Sequence, residues 1–105
     1  MKDRKPQDCT SMEHVRAEID QLDEQLIDLV AERFGYVDRA WQLKKNPEDA
    51  TVPWRINEVI AKVRARAEDK AIPPQLAEAL WRQMIGWFIE YEMENLENRS
   101  DKKDV

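Results

Sequence analysis

The sequence holds two glycines and one cysteine in 105 residues, and each scarcity excludes something. With so little glycine, and with no stretch alternating apolar and polar residues as a half-buried strand does, helices are favoured over sheets. A lone Cys9 excludes an intrachain disulfide. It reads as a structural or incidental thiol, because reactivity needs an activating partner. No apolar run is long enough to span a bilayer, and the polar stretch Met1 to Gln7 lacks the apolar core of a signal peptide, which makes the cytoplasm the default compartment. There is no basic excess either. With 22 acidic against 17 basic residues and a net charge of −5, the footprint of a nucleic-acid binder is missing. Any anion site must be built locally, against the field of the whole chain.

What is present is helical periodicity in a chain the size of one domain. Residues 1–9 read as a disordered lead-in, 10–98 as a helical domain and 99–105 as a charged tail. Thr10-x-x-Glu13 opens a capping box. Val15, Ile19, Leu22, Leu26, Leu29, Val30, Val37 and Trp41 then recur at helical spacing, and no proline intervenes before Pro47. The first helix is therefore expected from Ser11 to Lys45, about 50 Å long, far longer than so small a domain is wide. Asn46-Pro47-Glu48-Asp49 breaks it, and Pro53 suits the first turn of a second helix reaching Lys70. That helix carries Ile56, Val59, Ile60, Val63 and Ala67 on one stripe. After Ile72-Pro73-Pro74, a third helix runs to near Asn98. Its expected main face is Leu76, Leu80, Met84, Trp87 and Tyr91, with Trp81, Ile85 and Phe88 beside it. A chain this short buries a thin core, and four tryptophans leave sticky faces on a lone subunit, so an obligate oligomer is expected.

The informative residues break this pattern. As heptads, the first helix puts Val15, Leu22, Leu29 and Tyr36 on one seam position, and Ile19, Leu26, Arg33 and Ala40 on the other. Arg33 thus stands in an apolar seam. Lys44 points within about 20° of it and about 16 Å further along the axis. Two cations with inward reach on one face suit a compact anion with two carboxylates. The plain alternatives are that Arg33 snorkels or meets an acid, and that Lys44 merely ends the helix near its negative pole. Arg16 lies about 25 Å before Arg33 on a rigid rod, so the two cannot meet within one chain. They can meet if two copies of the helix pack antiparallel. On the third helix, Glu92 follows Phe88 by four residues and Ile85 by seven, which puts an acid on an apolar face. Buried acids are rare unless paired. Glu92 is either the partner of a lysine or a protonated carboxyl that donates a hydrogen bond to substrate.

Arg16-Ala-Glu-Ile-Asp20-Gln-Leu-Asp23, followed by Leu26, Leu29, Ala31-Glu32-Arg33 and Lys44, resembles the all-α class of chorismate mutases. The resemblance covers about residues 8–96. Asp8-Cys9-Thr10, Tyr36-Val37 and Gln83-Met84-Ile85-Gly86-Trp87 are most similar to its isochorismate-pyruvate lyase branch, which serves salicylate synthesis. The resemblance implies an intertwined homodimer of three-helix subunits with two equivalent sites for a dianionic substrate. Arg16 from the partner subunit and Arg33 would clamp the substrate carboxylates. Lys44 would hydrogen-bond the ether oxygen of the enolpyruvyl group. Glu92 falls where the family has Gln or Glu facing that oxygen. The implied chemistry is pericyclic, without cofactor, metal or covalent intermediate.

The chain departs from the family at the start of the second helix. There, chorismate mutases often supply Asp, Arg and Glu to the substrate, whereas this sequence reads Val52-Pro53-Trp54-Arg55. Arg55 is expected on the surface. The short connection from Lys44 to Pro53 is that of the lyase branch, while Glu92 in place of Gln and Phe88 in place of tyrosine point away from it. The leading expectation is chorismate to prephenate, followed by isochorismate to salicylate and pyruvate. A non-catalytic helical dimer serving as an interaction module is the alternative from another class.

Overall fold

The structure, a computed structural model, describes the backbone of residues 4–103 and the side chains of residues 4–99. Among the described residues every regular element is helical. Helix α1 spans Met12–Leu43, α2 Pro53–Asp69 and α3 Pro74–Lys103, with short 3₁₀ turns at Pro6–Asp8 and Pro47–Ala50. None of these helices is long and apolar enough to cross a membrane. The chain divides into two compact units, Met1–Tyr36 and Val37–Val105, with α1 contributing to each.

In the first unit, the cap of α1 sits one residue later than the sequence suggests. Ser11 Oγ accepts from the His14 N–H at 3.1 Å, and His14 Nδ1 accepts from the Thr10 N–H at 3.2 Å. Ser11 and His14 take the place of Thr10 and Glu13, but the His14 ring reaches one residue past the cap, to Thr10, so the two bonds do not form a reciprocal box. An imidazole nitrogen serves here because the third helical position needs only an acceptor that reaches back. Arg4 approaches the buried Glu18 at 3.7 Å. Beyond that point the heptad seam is open to solvent, with Leu26 56% and Leu29 60% exposed. A leucine left that wet forgoes much of the roughly 1.5–3 kcal/mol its burial would contribute.

In the second unit, α2 packs against α3, which also covers the Pro47–Ala50 turn and buries Ala50. The stripe expected on α2 is the one used: Ile60 and Ala67 are buried, with Ile56, Val59 and Val63 half-buried. Arg64 of α2 reaches Glu78 of α3 at 2.7 Å, and Arg82 meets the other oxygen of the same carboxylate, also at 2.7 Å. These two guanidinium groups hold the Glu78 carboxyl below the usual carboxylate range. Helix α2 closes on a left-handed residue. Ile72 N–H donates to Ala67 O and Ala71 N–H to Glu68 O, the paired bonds of a Schellman turn. Ala71 supplies its positive φ of 58°.

Two expectations for α3 are corrected. The inward stripe is Ala77, Trp81, Ile85, Phe88, Glu92 and Leu96, whereas Leu76, Leu80 and Trp87 of the expected main face are exposed. Both stripes repeat at helical spacing, so periodicity could not choose between them; packing on α2 and on the Pro47–Ala50 turn did. The helix also continues to Lys103 instead of ending near Asn98. Charge does not terminate a helix, and no glycine or proline follows to do so. Helix α1 ends at Leu43, two residues before its expected limit.

Candidate active site

Lys44 is the first residue beyond α1. Its N–H turns back to Trp41 O at 3.2 Å, tightening the last turn. The ammonium then donates to Glu92 Oε2 of α3 at 2.8 Å. Glu92 is 5% exposed, and the Lys44 side chain keeps a quarter of its surface. A carboxylate so deeply placed needs a charged donor, and the lysine anticipated as its partner is Lys44 itself. The structure thus brings together two of the four residues singled out in the sequence. The pair leaves Lys44 further N–H bonds to give, since an ammonium has three. On the α3 face Glu92 lies between the buried Phe88 and Leu96, which shields the carboxylate end of the pair from water.

The other two cations lie in the first unit. Arg16 is exposed and Arg33 half-buried on α1, about 25 Å apart along the helix axis. One copy of α1 cannot put both on a compact dianion. Arg55 is exposed and paired with Glu58 of its own helix, as expected for a surface residue.

Around Lys44 stand residues that the sequence reading passed over. Asp38 Oδ1 accepts from Tyr91 Oη at 2.6 Å and from Trp41 Nε1 at 2.8 Å. The Tyr91 hydroxyl, followed by the Trp41 indole, holds the Asp38 carboxyl below its ordinary range, while desolvation works weakly against them. The Tyr91 phenol is raised in turn, first by its bond to Asp38. Arg99, counted with the charged tail in the sequence, donates to Lys44 O at 2.6 Å and Gln42 O at 3.2 Å. Its guanidinium lies 5.7 Å from the Trp41 ring centroid, within cation–π range. A signal was there to be found: Ile85, Glu92 and Arg99 are spaced by sevens, so a helix that continues must carry Arg99 on the Glu92 face. Among the described residues, no group of three or more His, Cys, Asp or Glu side chains is placed to hold a metal ion.

Among the described residues the chain is all-helical, with a Lys44–Glu92 pair on the inward face of α3 and arginines spaced along one long helix, which places it in the class of small helical proteins. Residues 15–93 match the family model of chorismate mutase type II, and the chain belongs to that family. It is thus an enzyme of the chorismate mutase family. Over 84 residues it is 27% identical to a Pseudomonas aeruginosa protein named isochorismate pyruvate lyase, covering 80% of this chain and 83% of the relative.

Proposed function

We propose that this protein is a chorismate mutase that converts chorismate to prephenate in a site shared by two copies of the chain. The observation that carries the reading is the buried Lys44–Glu92 pair at 2.8 Å. In the rearrangement one C–O bond breaks as one C–C bond forms, and no atom leaves. The protein must hold the reactive conformer and meet the negative charge that grows on the ether oxygen. Lys44 meets that charge with an N–H left over from Glu92. Arg33 and the Arg16 of a second copy clamp the two carboxylates. The exposed seam of α1 and the outward stripe of α3 support a homodimer, because packing them together removes a large apolar surface from water.

Glu92, which accepts from the Lys44 ammonium at 2.8 Å, orients that cation toward the ether oxygen. The other reading of the residue is a carboxyl that carries its proton and donates to the oxygen itself. The two are separable: a proton-donating Glu92 makes the rate fall as pH rises, and Glu92→Gln, whose amide donates at every pH, then flattens the profile. A variant that keeps the wild-type dependence would show that Glu92 is not the donor.

A second reading, isochorismate-pyruvate lyase, is favoured by the Pseudomonas aeruginosa relative. Incubating the purified protein with chorismate and with isochorismate separates the two. Prephenate from chorismate supports the mutase; salicylate and pyruvate from isochorismate alone replace it with the lyase. If neither is consumed, and Arg33→Ala leaves dianion binding unchanged, the chain is a non-catalytic helical dimer.

A further inference from the structure

The end of α1 is fastened from a distance. The last carbonyls of a helix have no intrahelical donor, and those around Lys44 find theirs on α3. Arg99 Nη2 donates to Lys44 O at 2.6 Å, and Nη1 to Gln42 O at 3.2 Å. The planar fork can serve two carbonyls at once, and its charge suits the negative pole of α1. Trp41 lies under the guanidinium, and its indole N–H is held by Asp38, which Tyr91 also holds. Tyr91 directly precedes Glu92. One connected set therefore fixes the backbone from which Lys44 reaches out and the turn of α3 that carries Glu92.

We propose that Arg99, braced on the Trp41 ring and hydrogen-bonded to the backbone carbonyls of Gln42 and Lys44, is a positioning residue that sets where the Lys44 ammonium stands beside Glu92. Arg99 acts through Lys44. It governs the rate of the rearrangement more than the affinity for the dianion, because the clamping role belongs to other cations. The kinetic consequence rests on the mutase reading above. The placement of Lys44 does not.

The test uses the full chain in five forms: wild type, Arg99→Ala, Arg99→Lys, Lys44→Ala and the Arg99→Ala/Lys44→Ala double variant, each checked for helicity by circular dichroism. Displacing a catalytic group by about 1 Å costs up to roughly a hundredfold in rate, so Arg99→Ala should lower kcat roughly ten- to a hundredfold with KM little changed. Arg99→Lys, which keeps the charge but not the fork, should recover part of the loss. On the Lys44→Ala background, Arg99→Ala should have no further effect on kcat. A loss that multiplies with that of Lys44→Ala would assign Arg99 to the general fold and overturn the proposal, as would an unchanged kcat. A second readout needs no turnover. Under limiting acetic anhydride, acetylation of Lys44 relative to the exposed Lys45, read by peptide mass spectrometry, should rise at least about threefold in Arg99→Ala and less in Arg99→Lys, because a loosened ammonium leaves its carboxylate. An unchanged ratio refutes the positioning role. If Arg99→Ala does not fold, Arg99→Lys against wild type decides by the same ratio. Should wild type consume neither substrate, the mutase reading fails and the labelling ratio alone judges Arg99.

Discussion

Removing Lys44 should separate stability from catalysis. Lys44→Ala leaves Glu92, 5% exposed, without its charged donor. Breaking a fully buried ion pair from one side costs about 3–5 kcal/mol, mostly through the charge left behind. The Lys44 side chain keeps a quarter of its surface, so water already reaches one side of the pair and the cost falls to about 2–3 kcal/mol. Glu92→Gln preserves shape and an acceptor for Lys44 and should cost about 1 kcal/mol. The double variant Lys44→Ala/Glu92→Gln has no stranded charge, so it should be more stable than Lys44→Ala alone by about 1 kcal/mol. Its rate should not recover. The preorganised cation is still missing, which costs roughly 10²–10³ in kcat. Urea unfolding followed by circular dichroism at one fixed protein concentration measures the first effect, since association shifts apparent stability; prephenate formation measures the second. A Lys44→Ala protein as stable as wild type, or a double variant at the sum of the two single losses, would refute the reasoning.

The other predictions concern the two units and their assembly. The folded Asp38 carboxyl titrates below its unfolded value, so its contribution to stability is complete above about pH 4 and is lost as pH falls below that. Asp38→Asn should therefore flatten this part of the acid-unfolding curve, and an unaltered slope between pH 5 and 3, as measured by urea midpoints, would contradict it. Ala71 holds a φ of 58° at the position glycine prefers, so Ala71→Gly should stabilise by about 0.5–1 kcal/mol; a loss of stability in thermal unfolding would argue against it. Leu96 is 0% exposed, and Leu96→Ala should cost about 2–5 kcal/mol in the same measurement. Subunits carrying Arg16→Ala and subunits carrying Arg33→Ala, each inactive alone, should regain partial activity when mixed, because heterodimers rebuild one intact site. No recovery at all would sink the shared site.

Much of this protein was legible in residue order because its signals are local. Helix periodicity, the prolines at 47, 53 and 74 and the breaker after Lys45 act within a turn or two of chain, so the three helices and the inward stripe of α2 could be read directly. The cations of α1 and the acid of α3 stood out for the same reason: each interrupts an apolar repeat, and burying charge without compensation is costly. Tertiary structure decided what local signals leave degenerate. Helix α3 carries two apolar stripes at equal spacing, and only packing against the rest of its unit, α2 and the Pro47–Ala50 turn included, chose the one containing Phe88, Glu92 and Leu96. Lys44 and Glu92 are 48 residues apart, and no periodic pattern links them. In the sequence Arg99 looks like part of a tail, because a run of charged residues resembles a frayed end. In the folded chain it lies two helical turns beyond Glu92 and closes the far end of α1. Local sequence sets which segments coil, because those bonds span four residues; which side chains meet is set by packing, because burial is shared among segments far apart in the chain.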